Sequence, residues 1–122
     1  MKGCNRETNI QNKCRKAAAQ CGATLFRNTV GTAITKDGSF ITFGLGVGTS
    51  DLIGFVPVVV TPNMVGKKVA IFAGIEIKTP GKKPNDAQQR FIDFVAGHGG
   101  LSGYVTSEGE LMELILKFVR SI

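Results

Sequence analysis

Ten consecutive residues, Val69-Ala70-Ile71-Phe72-Ala73-Gly74-Ile75-Glu76-Ile77-Lys78, pass from an unbroken apolar run into strict alternation of apolar and charged side chains. Read as a β-strand, whose side chains alternate between faces with period two, the run sets Glu76 and Lys78 on one face and points Ile75 and Ile77 into the core. An anionic ligand then stands beside a cation. A second carboxylate, Asp51, lies upstream in Ser50-Asp51-Leu52-Ile53-Gly54. Two carboxylates able to share a divalent ion, with a lysine next to the water it activates, are what phosphodiester hydrolysis requires of a protein. The same alternation also fits the end of a solvated antiparallel sheet whose charges only face water. The glycine-rich approach to Asp51, Gln88 in the helix that follows, and an acidic residue in the first helix favour the chemical reading.

The rest of the chain supplies the elements around that strand. Ile10, Cys14, Ala17, Ala18 and Cys21 recur at helical spacing before Gly22, a natural stop, and Glu7 falls in the first turn. Residues 23–29 and 39–43 are rich in β-branched and aromatic side chains, with Lys36-Asp37-Gly38 as the turn between them. Residues 55–60 form a further predicted strand closed by Thr61-Pro62-Asn63, and the strand ending at Lys78 leaves through Thr79-Pro80-Gly81. Asn85 caps a helix that carries Gln88, Phe91, Phe94 and Val95 and ends before Gly99-Gly100. A short strand at 104–106 leads to a last helix, begun by a capping box of Ser107 and Glu110, that is expected to bury Leu111, Leu114, Ile115, Phe118 and Val119. The order α, several β, α, β, α predicts an α/β fold, a mixed β-sheet flanked by helices. No repeat, linker or low-complexity segment divides residues 1–122, so a single domain is expected.

The chain carries a net charge of +6, and its lysines pair as Lys67-Lys68 and Lys82-Lys83. Neutralising phosphates releases counterions and gives sequence-independent affinity, so the charge points to a polyanionic partner; a basic surface that only aids solubility is the alternative, and the clustering of the lysines favours nucleic acid. The three cysteines are an odd number. Cys14 and Cys21 are separated by a helical rise of roughly 10 Å, beyond the reach of a disulfide, and no pair has zinc-site spacing. They are read as small buried hydrophobes in a reducing compartment. Met1-Lys2-Gly3-Cys4-Asn5-Arg6-Glu7 holds no apolar run of signal-peptide length, and no stretch approaches about 18 to 20 apolar residues. An intracellular, cytoplasmic protein without a membrane partner is expected.

Competing motifs are weaker. Gly44, Gly46 and Gly48 lack the G-x-G-x-x-G spacing of a dinucleotide loop and more simply let the backbone turn so as to lift Asp51 into a site. Gly66-Lys67-Lys68 and Gly81-Lys82-Lys83 lack the Ser or Thr that follows the lysine of a phosphate-binding loop. His98, the sole histidine, sits where a helix ends and is expected to cap carbonyls.

Taken in order, Glu7, Gly22 with Phe26-Arg27-Asn28 and Gly31, Gly48-Thr49-Ser50-Asp51-Leu52-Ile53-Gly54, Glu76-Ile77-Lys78, Gln88 with Phe91, and Gly99-Gly100 resemble the virus-type replication-repair nuclease (VRR-NUC) domain. That family is a branch of the PD-(D/E)XK superfamily, and the resemblance spans residues 7–107. It implies a restriction-endonuclease-like core and a metal-dependent, structure-specific DNA endonuclease. In the family pattern Glu7, Asp51 and Glu76 bind Mg²⁺ or Mn²⁺ together with the backbone carbonyl of Ile77. Lys78 orients the attacking water and stabilises charge on the phosphate, and Gln88 positions Lys78 or the phosphate. Glu7 also reads as a helix-start carboxylate that favours the macrodipole by under about 1 kcal/mol. Arg27 is a DNA-phosphate contact or a strand-surface charge, and Lys67, Lys68, Lys82 and Lys83 are the expected DNA-binding residues.

Stand-alone viral members of the family are small homodimers that cut branched DNA, Holliday junctions included. The resemblance therefore implies a phage-encoded homodimer acting on branched or duplex DNA. A flap or nicking endonuclease, a non-catalytic nucleic-acid-binding module and a structural subunit of a phage replication complex are the alternatives.

Overall fold

The computed structural model describes residues 6–122 and divides into two units, residues up to Val58 and Val59–Ile122. The readings that rest on residues 1–5, Cys4 among them, fall outside the described residues. Three helices and three two-stranded sheets make up a mixed α/β architecture. The single mixed sheet expected from the element order is thus replaced, among the described residues, by three separate ladders.

In the first unit, α1 (Arg6–Gln20) ends where Gly22 adopts φ +83°, a left-handed conformation that costs a glycine little. Gly22 N–H donates to Ala19 O at 3.1 Å and Ala23 N–H to Ala18 O at 2.9 Å, so the helix's last carbonyls are satisfied as the chain turns into β1 (Thr24–Arg27). Arg15 Nε donates to Leu25 O at 2.9 Å and ties helix to strand. The partner of β1 is β4 (Leu52–Phe55), antiparallel with Thr24 opposite Phe55 and Arg27 opposite Leu52. Between them β2 (Gly31–Ile34) and β3 (Phe40–Phe43) form a hairpin with Gly31 opposite Phe43.

Several expectations change here. The Lys36-Asp37-Gly38 turn exists, but it joins β3 to β2, a strand the sequence reading missed, and not to β1. In that turn Asp37 accepts hydrogen bonds from the Thr35 hydroxyl and, at 3.1 Å, from Ser39 N–H. The Thr35 hydroxyl first, and Ser39 after it, hold the Asp37 carboxyl below its ordinary value of 3.8. The strand expected at 55–60 runs instead from Leu52 to Phe55, because β1 begins at Thr24, opposite Phe55, and Pro57 has no N–H to donate to a ladder. Cys14 and Cys21 are free, exposed thiols and not buried hydrophobes. The four-residue β1 offers α1 too narrow a strip to cover the whole apolar stripe, and no α1 residue is fully buried.

The second unit is a β-α-β unit with a helix appended. β5 (Ala73–Ile77) and β6 (Leu101–Val105) pair in parallel, Glu76 opposite Tyr104, and are connected by α2 (Asp86–Gly97); α3 (Glu108–Ser121) follows. Val95, 1% exposed, forms the core with Leu101 and Val105. Gly100 must be glycine, since a Cβ there would lie 2.7 Å from Val95 Cγ1 and 2.8 Å from Phe72 O. The long strand expected over 69–78 shortens because its partner begins only after Gly99-Gly100. The first ladder bond is Leu101 N–H to Phe72 O at 2.9 Å, and the last is Lys78 N–H to Val105 O at 3.0 Å. For the same reason the strand expected at 104–106 begins at Leu101.

The two helices take opposite faces of this ladder. Ser102 Oγ donates to Ile92 O of α2 at 2.6 Å, and a Cβ on Gly74 would touch Phe91 and Val95. A Cβ on Gly103, one residue along β6 and on the other face, would touch Leu114 of α3. Glu76 and Lys78 share the α2 face with Gly74. Ile77 lies on the α3 face, but α3 packs on β6, so Ile77 is 68% exposed and does not enter the core as expected. Leu111, Leu114 and Phe118 are half-buried, whereas Ile115 and Val119 stay exposed: two strands are too narrow to cover the helix's apolar stripe. Ser107 Oγ accepts from Glu110 N–H as the expected capping box requires, but the Glu110 carboxylate reaches Thr106 N–H at 2.6 Å and not that of Ser107. No described helix is long and apolar enough to cross a membrane.

Candidate functional site

The residues singled out from the sequence fall into two groups, one in each unit. In the second unit the pleat of β5 turns Glu76 and Lys78 the same way, and Lys78 Nζ stands 3.9 Å from Glu76 Oε2. The first turn of α2 lies over them. Gln88 Nε2 donates to that same Oε2 at 2.9 Å. Gln88 is itself fixed by the helix start: its Oε1 accepts from Asn85 N–H at 3.0 Å while its own N–H donates to Asn85 Oδ1 at 2.8 Å, a reciprocal capping box. One glutamine thus closes a helix terminus and orients a carboxylate.

The exposures of Lys78 and Glu76, 21% and 32%, show what this arrangement does. A pair that water still reaches contributes under about 1 kcal/mol to stability, so its value lies in geometry. Gln88 hydrogen-bonds Oε2 and Lys78 pairs with the same oxygen at longer range, so Oε1 is the oxygen without a hydrogen bond among the described residues. The sequence reading directed Gln88 at Lys78 or a phosphate; its amide reaches Glu76. The helix cap is the signal from which this could have been found, because Gln three residues after Asn85 is the capping-box spacing.

In the first unit Glu7, Arg27 and Asp51 line one open cleft of about 540 Å³ with Asn28 and Thr49. Glu7 sits in the first turn of α1, Arg27 ends β1, and Asp51 immediately precedes β4. The loop into Asp51 turns on Gly44, Gly46 and Gly48, all with positive φ, at 81°, 120° and 85°. Gly44 is doubly constrained, since a Cβ would also fall 2.5 Å from Thr29 O. Asn28 binds this loop at four points. Its N–H donates to Asp51 O at 2.9 Å, its Nδ2 to Thr49 Oγ1 at 2.9 Å and Ser50 O at 2.7 Å, and its Oδ1 accepts from Leu45 N–H at 2.9 Å. Asn28 stood inside the Phe26-Arg27-Asn28 motif without a role.

Lys67, Lys68, Lys82 and Lys83 are exposed in the second unit, Lys67 just after a 3₁₀ turn (Pro62–Met64) and Lys82 in the turn that leaves β5. His98 Nδ1 lies 2.8 Å from Phe94 O at the end of α2, the capping position expected of it.

Among the described residues no three His, Cys, Asp or Glu side chains gather in one cluster. Within each unit, however, the donor chemistry suits a hard divalent cation: the carboxylates of Glu7 and Asp51 on one cleft, and the Glu76 carboxylate with one oxygen uncommitted to its neighbours. Carboxylate oxygens without a softer ligand beside them are the donor set that Mg²⁺, Ca²⁺ and Mn²⁺ share.

A family model described as the VRR-NUC domain matches residues 5–109, a span that contains Glu7, Asp51, Glu76, Ile77, Lys78 and Gln88. No curated protein and no solved structure matches the chain.

Proposed function

The chain belongs to the VRR-NUC family, a family of nucleases, and on that footing we propose that it is a Mg²⁺- or Mn²⁺-dependent, structure-specific DNA endonuclease that resolves branched DNA as a homodimer. The observation that carries this reading is the Glu76 carboxylate held between Lys78 at 3.9 Å and Gln88 at 2.9 Å. The proposal takes the 122 residues as one nuclease domain with a PD-(D/E)XK core and places it inside the cell, with phage origin as its natural setting.

Hydrolysis adds water to phosphorus and breaks one P–O ester bond, leaving a phosphate monoester and a hydroxyl. The proposed metal-holding residues are Glu7 and Asp51 of the first unit and Glu76, with the carbonyl of Ile77, of the second. A bound divalent ion supplies positive charge that acidifies water and offsets charge on the phosphate. Lys78 orients the attacking water and stabilises negative charge that grows on the phosphoryl oxygens. Gln88 fixes the Glu76 carboxylate, so the direction in which its other oxygen points is set before substrate arrives. Arg27 and the lysine pairs Lys67-Lys68 and Lys82-Lys83 hold DNA phosphates and make affinity fall with salt.

One observation favours a second reading. The net charge of +6 and the exposed pairs Lys67-Lys68 and Lys82-Lys83 fit a nucleic-acid-binding module whose acidic side chains do no chemistry. Incubation with labelled four-way junction, flap, nicked, single-stranded and linear duplex DNA separates the two. The nuclease reading predicts cleavage in Mg²⁺ or Mn²⁺ that EDTA abolishes; the module predicts salt-sensitive binding, indifferent to EDTA, and intact DNA in every lane.

A further inference from the structure

We infer that Asn28 is the positioning residue that sets Asp51 in its cleft, and that it does so by clamping the glycine loop through its side-chain amide. The inference rests on the reading of Asp51 as a metal ligand. Asn28 follows β1 directly, and its backbone N–H donates to Asp51 O at 2.9 Å one step beyond the Arg27–Leu52 pair. The side chain then does what the ladder cannot. Nδ2 donates both of its protons, to Thr49 Oγ1 and Ser50 O, and Oδ1 takes Leu45 N–H from the far arm of the loop. Thr49 Oγ1 passes its own proton on to Gly46 O at 2.6 Å. A loop that turns on three glycines has little stiffness of its own, so one planar amide that grips both arms is what gives Asp51 a fixed place.

The requirement is for an amide and not merely for a polar group. Thr49 Oγ1 gives its proton to Gly46 O, and Ser50 O can only accept, so both partners of Nδ2 need a donor. Asn28→Asp keeps size, shape and the acceptor for Leu45 but removes both donors. It also adds a negative charge to a cleft that already holds Glu7 and Asp51. Charge alone would draw a cation more strongly. Loss of the clamp works in the opposite sense, so the two explanations separate in one variant.

The test measures three quantities on the full chain: Mn²⁺ affinity by titration of the free-ion spin resonance signal, single-turnover cleavage of a labelled four-way junction, and exchange of the Leu45 amide by NMR. Asn28→Asp is expected to weaken Mn²⁺ binding and to slow cleavage on the order of 100-fold, the scale of loss that a displacement of about 1 Å produces, with DNA affinity little changed. Asn28→Ala is expected to speed Leu45 exchange. Thr49→Val should reproduce part of the Asn28→Asp loss, and Thr49→Ser, which keeps the hydroxyl, should recover it. Asn28→Asp with equal or tighter Mn²⁺ binding and wild-type cleavage would overturn the inference, as would unchanged Leu45 exchange in Asn28→Ala. If Asn28→Asp does not fold, the Thr49 pair decides, and equal rates in Thr49→Val and Thr49→Ser reject the clamp. A wild-type protein that cuts nothing defeats the nuclease reading instead, and Leu45 exchange then still decides whether Asn28 holds the loop.

Discussion

Gln88 donates its side-chain amide to Glu76 Oε2 at 2.9 Å while the same side chain's oxygen receives Asn85 N–H at 3.0 Å, so the start of α2 and the carboxylate on β5 are held by one residue. The two tasks can be separated by substitution. Gln88→Glu keeps an oxygen for Asn85 N–H and adds a charge that the helix N-terminus favours, but it turns a carboxylate toward Glu76. Its melting temperature should stay close to that of the wild type while cleavage falls on the order of 10- to 100-fold, the scale expected when a positioning group is lost. Gln88→Ala should lose about 1 kcal/mol of stability with the cap as well as activity. Thermal melts paired with single-turnover rates check this. A Gln88→Glu protein of full activity would leave the residue a helix cap and nothing more.

Lys78→Ala removes the cation beside Glu76. The pair is partly exposed and contributes under about 1 kcal/mol, so metal affinity should move by less than about fivefold. The cleavage rate should drop on the order of 100-fold, because charge developing on the phosphate loses its stabilising partner. Calorimetric titration with Mn²⁺ beside single-turnover kinetics distinguishes the two effects. Loss of metal binding would make Lys78 a structural residue.

The β2–β3 hairpin is expected to be sensitive to acid. The Thr35 hydroxyl, with Ser39, holds the Asp37 carboxyl below 3.8, which means that the ionised form is favoured by folding. The stabilisation is therefore complete above that ordinary value and is lost as pH falls through the lowered one. Exchange of the Ser39 amide, followed by NMR from pH 6 to pH 2 (roughly the range that spans carboxylate titration), should accelerate relative to its intrinsic rate at the acid end. Asp37→Asn should remove that pH dependence.

What was legible in the sequence was the set of elements whose signals are local. Gly22 stopping α1, Asn85 and Ser107 starting helices, and Thr79-Pro80-Gly81 turning out of β5 all depend on neighbouring residues, and each is present. The strands were harder because their length is fixed by a partner far along the chain. The apolar residues 69–72 read as strand, yet β6 cannot pair with them before Leu101, and nothing local to 69–72 carries that information. β2 was missed for a related reason: its short Gly-Thr-Ala-Ile run becomes a strand through Phe40–Phe43. In the site, the pairing of Glu76 with Lys78 followed from the period of two. The Asn28 clamp did not, because it joins residues 17 to 22 positions apart across a loop that is glycine-rich and otherwise featureless in sequence.

Each chain holds one copy of the Asp51, Glu76 and Lys78 set, and a four-way junction has two-fold symmetry. Paired incisions within one complex then need two chains. Sedimentation equilibrium over a range of concentrations should give a dimer, and a cruciform plasmid should be converted to linear product without passing through a long-lived nicked circle. A monomer that yields only nicked circles would favour a flap or nicking endonuclease over a junction resolvase.

Asp51 and Glu76 are proposed to act through a divalent ion, and the most direct test is cleavage and binding measured side by side on one labelled four-way junction. Wild type, Asp51→Asn and Glu76→Gln are compared in Mg²⁺ and Mn²⁺ for cutting, and in Ca²⁺ by fluorescence anisotropy for binding. The expected result is cutting by the wild type that EDTA stops, none by either variant, and junction affinity nearly unchanged in all three, since affinity is expected to reside in the basic residues. Full cleavage by either variant, or wild-type cleavage that survives EDTA, would contradict it.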